Sequence, residues 1–167
     1  MKIHKTIGVC VAILVSSFVF LWAQEDRVGF PRDYEKSFKL YHVFNREERP
    51  QLREIWINPV GAQAESGKVF PYGTIIVMVT YDAKAQDGKP LQDDRGLYIK
   101  GKTNRVDVMR KEKGYGEAYG ASRSGEWEFN AYSPDGKLRP GDAARCAKCH
   151  IDASTTDFVF TAKELKK

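Results

Sequence analysis

Thr74-Ile75-Ile76-Val77-Met78-Val79-Thr80-Tyr81 is the stretch of this chain that decides its fold. Six of its eight residues are β-branched, and such residues favour β-strands. The stretch is apolar at neighbouring positions, which is typical of a strand that is buried on both faces. We therefore expect a central strand of a sheet, entered through a turn at Phe70-Pro71-Tyr72-Gly73.

Four further stretches have the composition of short strands. They are residues 53–58, 96–100, 106–110 and 127–132. Helical patterns do not alternate with them, so a parallel α/β architecture is not indicated. The sequence predicts an α+β fold, with a mainly antiparallel β-sheet and flanking helices.

The segment in front of these strands predicts a helix. Phe30-Pro31-Arg32-Asp33 is typical of a helix start, with Asp33 as the N-cap. Aromatic residues follow at spacings of four, three and three, which places them on one helical face. They are Tyr34, Phe38, Tyr41 and Phe44. We expect this stripe to pack into the core or to form an aromatic wall beside a cofactor.

Residues 1–23 have the features of a secretory signal peptide. Met1-Lys2-Ile3-His4-Lys5 is a short basic region, and residues 7–23 carry no charge. Ala23 suits the position before a cleavage site, whereas Leu21 is large for its place two residues earlier. An uncleaved N-terminal anchor is therefore the alternative. Residues 24–167 are long enough to form one domain with a buried core.

The charge balance excludes one class of partner. The chain has 27 Lys and Arg against 22 Asp and Glu, a formal net charge of +5. Loss of residues 1–23 removes Lys2 and Lys5 and lowers this net charge to +3. The charges are scattered rather than clustered, so nucleic-acid binding is not indicated.

Cys146-Ala147-Lys148-Cys149-His150 concentrates the chemistry of the chain. Two cysteines separated by two residues and followed by histidine form the c-type haem attachment pattern. Each thiol adds to one haem vinyl group, and the adjacent imidazole becomes the proximal iron ligand. We therefore predict one covalent haem c, attached through Cys146 and Cys149, with His150 as the metal ligand.

Two other uses of this motif need features that the sequence does not supply. A structural zinc site requires a fourth ligand, and the other Cys and His residues are His4, Cys10 and His42. A redox pair is expected near a βαβ pattern, which is absent.

The position of the motif limits where a sixth iron ligand can come from. Seventeen residues follow His150, and none is Met, His or Cys. The methionine ligand of the common small helical electron carriers follows the motif, so their arrangement is excluded. Distal chemistry has to come from residues before Cys146. His42 is one candidate sixth ligand, with a packed or surface position as the alternative.

Between residues 30 and 161 the chain resembles the cytochrome P-460 family, which includes the beta-type cytochromes c′. The resemblance rests on the order and spacing of seven motifs. They are Phe30-Pro31-x-x-Tyr34, Arg53-x-Ile55-Trp56-Ile57-Asn58-Pro59, Gly67-x-x-Phe70-Pro71-x-Gly73-Thr74, Val108-Met109-x-Lys111, Gly125-x-Trp127-x-Phe129, Cys146-Ala147-Lys148-Cys149-His150 and Asp157-Phe158-Val159-Phe160-Thr161.

This resemblance implies a mainly antiparallel sheet, one haem c with an open distal side, a homodimer and a periplasmic location. One branch of the family oxidises hydroxylamine to nitrogen oxides and passes electrons to other cytochromes. The other branch binds nitric oxide and similar small ligands.

Two positions bear on the choice between the branches. Arg53 matches a distal arginine of the hydroxylamine-oxidising members, where a guanidinium donates hydrogen bonds to a nitrogen oxide; a surface arginine is the alternative. Met78 stands where those members carry a lysine joined covalently to the porphyrin. Met78 is then a core residue, a cap on the distal face or a sulfur ligand, and Met109 has the same ambiguity. The cross-link is expected to be absent unless Lys100 or Lys111 reaches the ring.

Three hypotheses follow. The first is a periplasmic mono-haem c protein that binds small nitrogenous ligands such as nitric oxide or transfers electrons to a redox partner cytochrome. The second is a hydroxylamine oxidoreductase in which Arg53 orients the substrate and Asp142 accepts protons. The third is an electron carrier with Met78 as the sixth ligand. Contact with a membrane is expected only if the N-terminal segment is retained.

Overall fold

The computed structural model describes residues 26–65, 67–139, 141 and 143–165. Two α-helices and eight strands are formed: α1 (Tyr34–Ser37), β1 (Lys39–Arg46), β2 (Gln51–Ile57), β3 (Ile75–Ala83), β4 (Ala85–Gln86), β5 (Lys89–Pro90), β6 (Lys100–Lys111), β7 (Trp127–Tyr132), β8 (Leu138–Arg139) and α2 (Ala143–His150). Short 3-10 helices cover Gly61–Gln63, Glu117–Ser122, Ile151–Thr156 and Ala162–Glu164.

Six of the strands form one antiparallel sheet in the order β1-β2-β3-β6-β7-β8, and β4 pairs with β5 in a separate hairpin. The predicted fold class is confirmed, because the molecule is mainly antiparallel sheet with few helices. The predicted central strand is also confirmed as β3, which lies between β2 and β6.

The apolar composition of β3 on both faces has a direct structural counterpart. Val77 and Val79 belong to one core and are 0% exposed, whereas Ile76 belongs to a second core on the opposite face. The first core is made by Val28, Tyr34, Leu52, Val77, Val79, Tyr81, Tyr98, Val106, Val108 and Tyr132. The second core is made by Ile55, Ile57, Phe70, Ile76, Met109, Trp127, Phe129, Ala147, Val159 and Leu165. Residues 28–38 and the 84–99 region contribute to the first core, and α2 with residues 151–165, the C-terminal segment, contributes to the second.

The predicted helix after Asp33 is wrong beyond its first turn. α1 ends at Ser37, and residues 39–46 form the edge strand β1, which pairs antiparallel with β2. The register shifts between Leu40 and His42, so an irregularity interrupts the two-residue period of the strand. Spacings of three and four therefore occurred without a helix. Phe38 packs on the first core, and Tyr41 and Phe44 pack on the second.

Two smaller differences concern the connection between β3 and β6. Residues 96–100 were predicted as a strand. In the structure Tyr98 forms an isolated bridge with Gln92, and the strand β6 begins at Lys100. The hydrophilic connection 82–95 contains the β4–β5 hairpin.

No helix in the described ranges is long and apolar enough to cross a membrane. The predicted signal peptide or anchor at residues 1–23 lies outside the described residues, so its role stays a prediction.

We expect Ile57→Ala to lower the free energy of unfolding by about 2–5 kcal/mol, because it leaves a cavity at a second-core residue that is 0% exposed. Val69→Ala is the matched control, since the Val69 side chain is 69% exposed and its truncation should change this free energy by less than about 0.5 kcal/mol. Urea unfolding of the purified protein measures both values. Equal effects of the two truncations would contradict the assigned second core.

Candidate functional site

A cavity of about 770 Å³ lies between the second-core face of the sheet and the segment that carries α2. This volume is within the range of pockets that enclose small molecules and cofactors. Strands β1, β2, β3, β6 and β7 supply one part of the lining, and α2 with residues 159–161 supplies another. The cavity therefore exists because α2 and the C-terminal segment cover this face of the sheet incompletely.

Helix α2 brings the predicted haem-attachment residues into this cavity. Cys146, Cys149 and His150 are spaced by three and four residues, which places them on one side of the helix. All three line the cavity, and the two cysteines form no disulfide with each other. Ala147, between them, is fully buried in the second core and fixes the helix against the sheet.

The His150 imidazole is held by a hydrogen bond from its Nδ1 to the backbone carbonyl oxygen of Phe158, at 2.6 Å. A carbonyl oxygen only accepts, so Nδ1 carries the proton and Nε2 keeps its lone pair. Burial lowers the pKa of His150, which favours the neutral ring. The ring also packs against Phe129 and Phe160, with centroids at 4.7 Å and 5.1 Å. This is the arrangement of a histidine that is oriented to bind a metal through Nε2.

The sheet places Arg53 and Met78 in the same cavity lining. Register explains why: Arg53 pairs with Thr80, and Met78 pairs with Ile55, so alternate residues of β2 and β3 share one face. The structure thus brings the two predicted distal residues together with the attachment motif.

Arg53 is partly desolvated in this position. Its Nε is buried and has no hydrogen-bond partner within the described residues. Burial, followed by the charge of Arg46, lowers the pKa of the Arg53 guanidinium. An unpaired N–H donor beside a cavity is suited to an acceptor atom of a bound ligand.

Met78 is half-buried and contacts the second core. Met109 lines the same cavity but is itself a buried member of the second core. Of these two methionines, Met78 is therefore the less buried.

The other predicted candidates lie elsewhere. His42 stacks on Phe44 with ring centroids at 5.2 Å and has its Nδ1 3.9 Å from Glu164, and it is not among the cavity-lining residues. Asp142 lies outside the described residues, so its suggested role as proton acceptor stays a prediction.

Neither lysine considered for a porphyrin cross-link lies in the cavity lining. Lys100 forms an ion pair with Glu54, and Lys111 forms one with Asp157 at 2.6 Å. The described lining residues include no lysine at all.

Asp107 is a lining residue that the sequence reasoning missed. Its side chain is 18% exposed and accepts a hydrogen bond from Nε of Arg105 at 2.6 Å. A signal was present, because Asp107 alternates with two valines in a strand pattern and therefore faces away from the core that holds them. Its cross-strand partner is Met78, which could be known only from the register of β3 and β6.

The lining carries a strong excess of positive charge. Six arginines contribute to it, against the single described carboxylate of Asp107. They are Arg46, Arg49, Arg53, Arg105, Arg139 and Arg145. Such a lining is suited to a group that bears carboxylates, as the two propionates of haem do.

These residues fit a haem. Within the described ranges, no group of three or more His, Cys, Asp or Glu side chains is arranged to hold a metal ion. The described sheet is antiparallel throughout, so the setting expected for a redox cysteine pair is also missing.

Comparison with known proteins agrees with the geometry. The family model for cytochrome P460 matches residues 31–161, most of the chain, and the matched region contains all the described cavity-lining residues. No curated protein is similar enough to the chain to count as a match.

We expect the double replacement Cys146→Ala with Cys149→Ala to abolish covalent haem attachment, because no thiol is then left in the cavity lining. Cys10→Ala is the matched control, and it should leave attachment unchanged since Cys10 lies outside the matched region. Haem staining of the denatured protein after electrophoresis measures covalent attachment. Stained protein from the double variant would refute the assignment.

Proposed function

The chain belongs to the cytochrome P460 family and is therefore a haem cytochrome, and we propose that it carries one covalent haem c at which it binds small ligands such as nitric oxide and exchanges electrons. In this proposal Cys146 and Cys149 form the thioether links, and His150 is the axial ligand. When bound, the haem iron supplies a coordination position for a small ligand and one-electron redox chemistry.

The observation that carries the proposal is the pairing of an oriented histidine with an unpaired donor in one cavity. The bond from His150 Nδ1 to the Phe158 carbonyl directs the Nε2 lone pair to a metal. Arg53 contributes a buried Nε–H that has no partner among the described residues. A polar diatomic ligand is a suitable acceptor for a donor of the Arg53 guanidinium, because Arg53 lines the cavity.

Apolar side chains around Arg53 support the same use. Phe44 is the cross-strand neighbour of Arg53, and Ile55 lies two residues further along the same face of β2; both line the cavity. The Arg53 guanidinium carbon lies 6.0 Å from the centroid of the Phe44 ring. A hydrogen bond in such surroundings is stronger than the same bond in water.

Met78 has two uses under this proposal. As a packed side chain it restricts the space above the ligand, and as a sulfur donor it would close the sixth position and favour electron transfer alone. The absence of lysine from the described lining supports a haem without the ring cross-link of the hydroxylamine-oxidising members.

Export to the periplasm is part of the proposal. It is supported by the signal-like sequence of residues 1–23 and by the use of both remaining cysteines in haem attachment. A redox partner cytochrome and a homodimeric state are proposed on the family resemblance.

A second candidate function is the oxidation of hydroxylamine to nitrogen oxides, with electrons passed to an acceptor cytochrome. The favouring observation is that Asp107 shares the cavity with Arg53. Asp107 offers a carboxylate that can accept a substrate proton, which is the role that the sequence suggested for Asp142. Arg105 holds this carboxylate at 2.5 Å and so fixes its orientation.

We expect nitric oxide to shift the visible spectrum of the reduced protein, and Arg53→Leu to speed dissociation of nitric oxide by about 10- to 100-fold through loss of a charged hydrogen-bond donor. Arg95→Leu is the matched control, because Arg95 pairs with Asp93 on the surface and does not line the cavity. Stopped-flow spectroscopy with a nitric oxide scavenger measures the rate. An unchanged spectrum would argue against ligand binding, and unchanged release from Arg53→Leu would argue against the role of Arg53.

For the second candidate, we expect turnover of hydroxylamine with an added electron acceptor, lowered by about 100- to 10,000-fold in Asp107→Asn through loss of the proton acceptor. Asp82→Asn is a suitable control, since Asp82 bonds Gln51 and Asn104 and does not line the cavity. A steady-state assay of acceptor reduction measures both. No turnover by the unaltered protein would remove this candidate and leave the first one standing.

A further inference from the structure

We infer that the buried ion pair of Lys111 and Asp157 is a positioning device for His150 and thereby sets the reduction potential of the haem. The inference rests on the proposed function, because it takes His150 as the axial ligand. Neither Lys111 nor Asp157 lines the cavity, so both act through the backbone between them and the imidazole.

The first step is an unusual turn. Asp157 and Phe158 are consecutive residues with positive φ, +52° and +63°, and neither is glycine. Side-chain-bearing residues rarely adopt this left-handed conformation, and two in succession persist only where their surroundings hold them. We call these two residues the 157–158 turn.

The second step is the set of contacts that hold the turn. The Asp157 carboxylate accepts hydrogen bonds from Lys111 Nζ at 2.6 Å and from the Phe70 backbone N–H at 2.8 Å. The Asp157 carbonyl accepts one from the Trp127 indole N–H at 2.9 Å. Three separate parts of the chain therefore converge on one residue of the turn.

The ion pair is the contact in which both partners are charged, and it is almost completely buried. The Lys111 side chain is 5% exposed and that of Asp157 is 11% exposed. The Lys111 ammonium also lies 5.6 Å from the centroid of the Trp127 ring. Because a buried carboxylate without its cation is strongly disfavoured, loss of Lys111 should move Asp157 toward water and release the turn.

The neighbouring residue has equally little freedom. A Cβ at Gly125 would lie 2.7 Å from the Phe158 ring, so the ring fits only because residue 125 is glycine. The Phe158 N–H donates to the Ala153 carbonyl at 2.8 Å. Contacts of the side chain and of the backbone N–H therefore both restrict the position of Phe158.

The third step connects the turn to the imidazole. The carbonyl that accepts from His150 Nδ1, at 2.6 Å, is that of Phe158. A strong bond at Nδ1 makes an imidazole a more basic ligand, which favours the oxidised metal and lowers the reduction potential. A displaced 157–158 turn weakens this bond, so the potential should rise.

The chain offers a matched control on the other face of the sheet. Lys100 also pairs with a buried carboxylate, that of Glu54, and lies 4.9 Å from the centroid of the Tyr81 ring. Lys100→Met and Lys111→Met therefore each remove one positive charge from beside a buried carboxylate, although the Lys100 side chain is 48% exposed and that of Lys111 is 5% exposed. Only Lys111 is connected to the 157–158 turn.

The test is spectroelectrochemical titration of the full-length haem protein, with the iron–histidine stretching frequency recorded by resonance Raman. For Lys111→Met we expect normal haem content, a lower stretching frequency and an about tenfold shift of the Fe(III)/Fe(II) equilibrium toward Fe(II), equivalent to about 59 mV for one electron. Lys111→Arg, which keeps the ion pair, and Lys100→Met should both stay at the unaltered values. A Lys111→Met protein with an unaltered potential and stretching frequency would overturn the inference, because a merely structural pair would change stability alone.

A second variant covers poor folding of Lys111→Met. Lys111→Met combined with Asp157→Asn leaves no buried charge, and asparagine tolerates the left-handed conformation. It should show the same upward shift, and an unaltered potential in this variant would also overturn the inference. Failure of the proposed function can be told apart from failure of this inference. If His150 were not the axial ligand, the visible spectrum of His150→Gly would equal that of the unaltered protein, whatever Lys111→Met does.

Discussion

A sheet that is apolar on both faces has to be covered on both faces, and the rest of this structure depends on that requirement. β3 buries Val77 and Val79 in one direction and Ile76 in the other. Each face therefore needs its own partner from outside the sheet. Residues 28–38 and the 84–99 region cover one face, and α2 with the C-terminal segment covers the other. The predicted haem-attachment motif lies in α2, so the proposed attachment site is part of the contact that covers the second face.

The cavity forms because α2 and the C-terminal segment cover only part of the second face. Ala147 and Val159 belong to the second core together with Ile57, Ile76 and Trp127, whereas the part of the face around Arg53 lines the cavity. The open part of the face is rich in arginine, and its only described acid is Asp107. A cofactor with carboxylates would supply both the missing apolar contact and the missing negative charge.

The Lys111–Asp157 ion pair also holds the C-terminal segment on the second face of the sheet. It joins the end of β6 to the C-terminal segment at a point that shares no residue with the cavity lining. Its consequence reaches the site through one backbone carbonyl, that of Phe158. The same set of contacts therefore holds the C-terminal segment on the sheet and orients the imidazole of His150.

The sequence by itself determined the central strand and the fold class, and it predicted the three attachment residues. Each of these depends on local information: β-branched apolar residues in succession, or a fixed spacing of Cys and His within one helix. The helix predicted through Phe38, Tyr41 and Phe44 was wrong, because an irregular edge strand imitates helical spacing when its period is interrupted.

Only the tertiary structure decided which side chains share the cavity. Asp107 faces Met78 because of a strand register that no local pattern encodes, and Lys111 meets Asp157 across 46 residues of chain. Spacing within one segment was therefore enough to predict the residues that attach the cofactor. The residues proposed to surround and tune it come from separate strands and from the C-terminal segment, and strand register and the packing of that segment on the sheet bring them together.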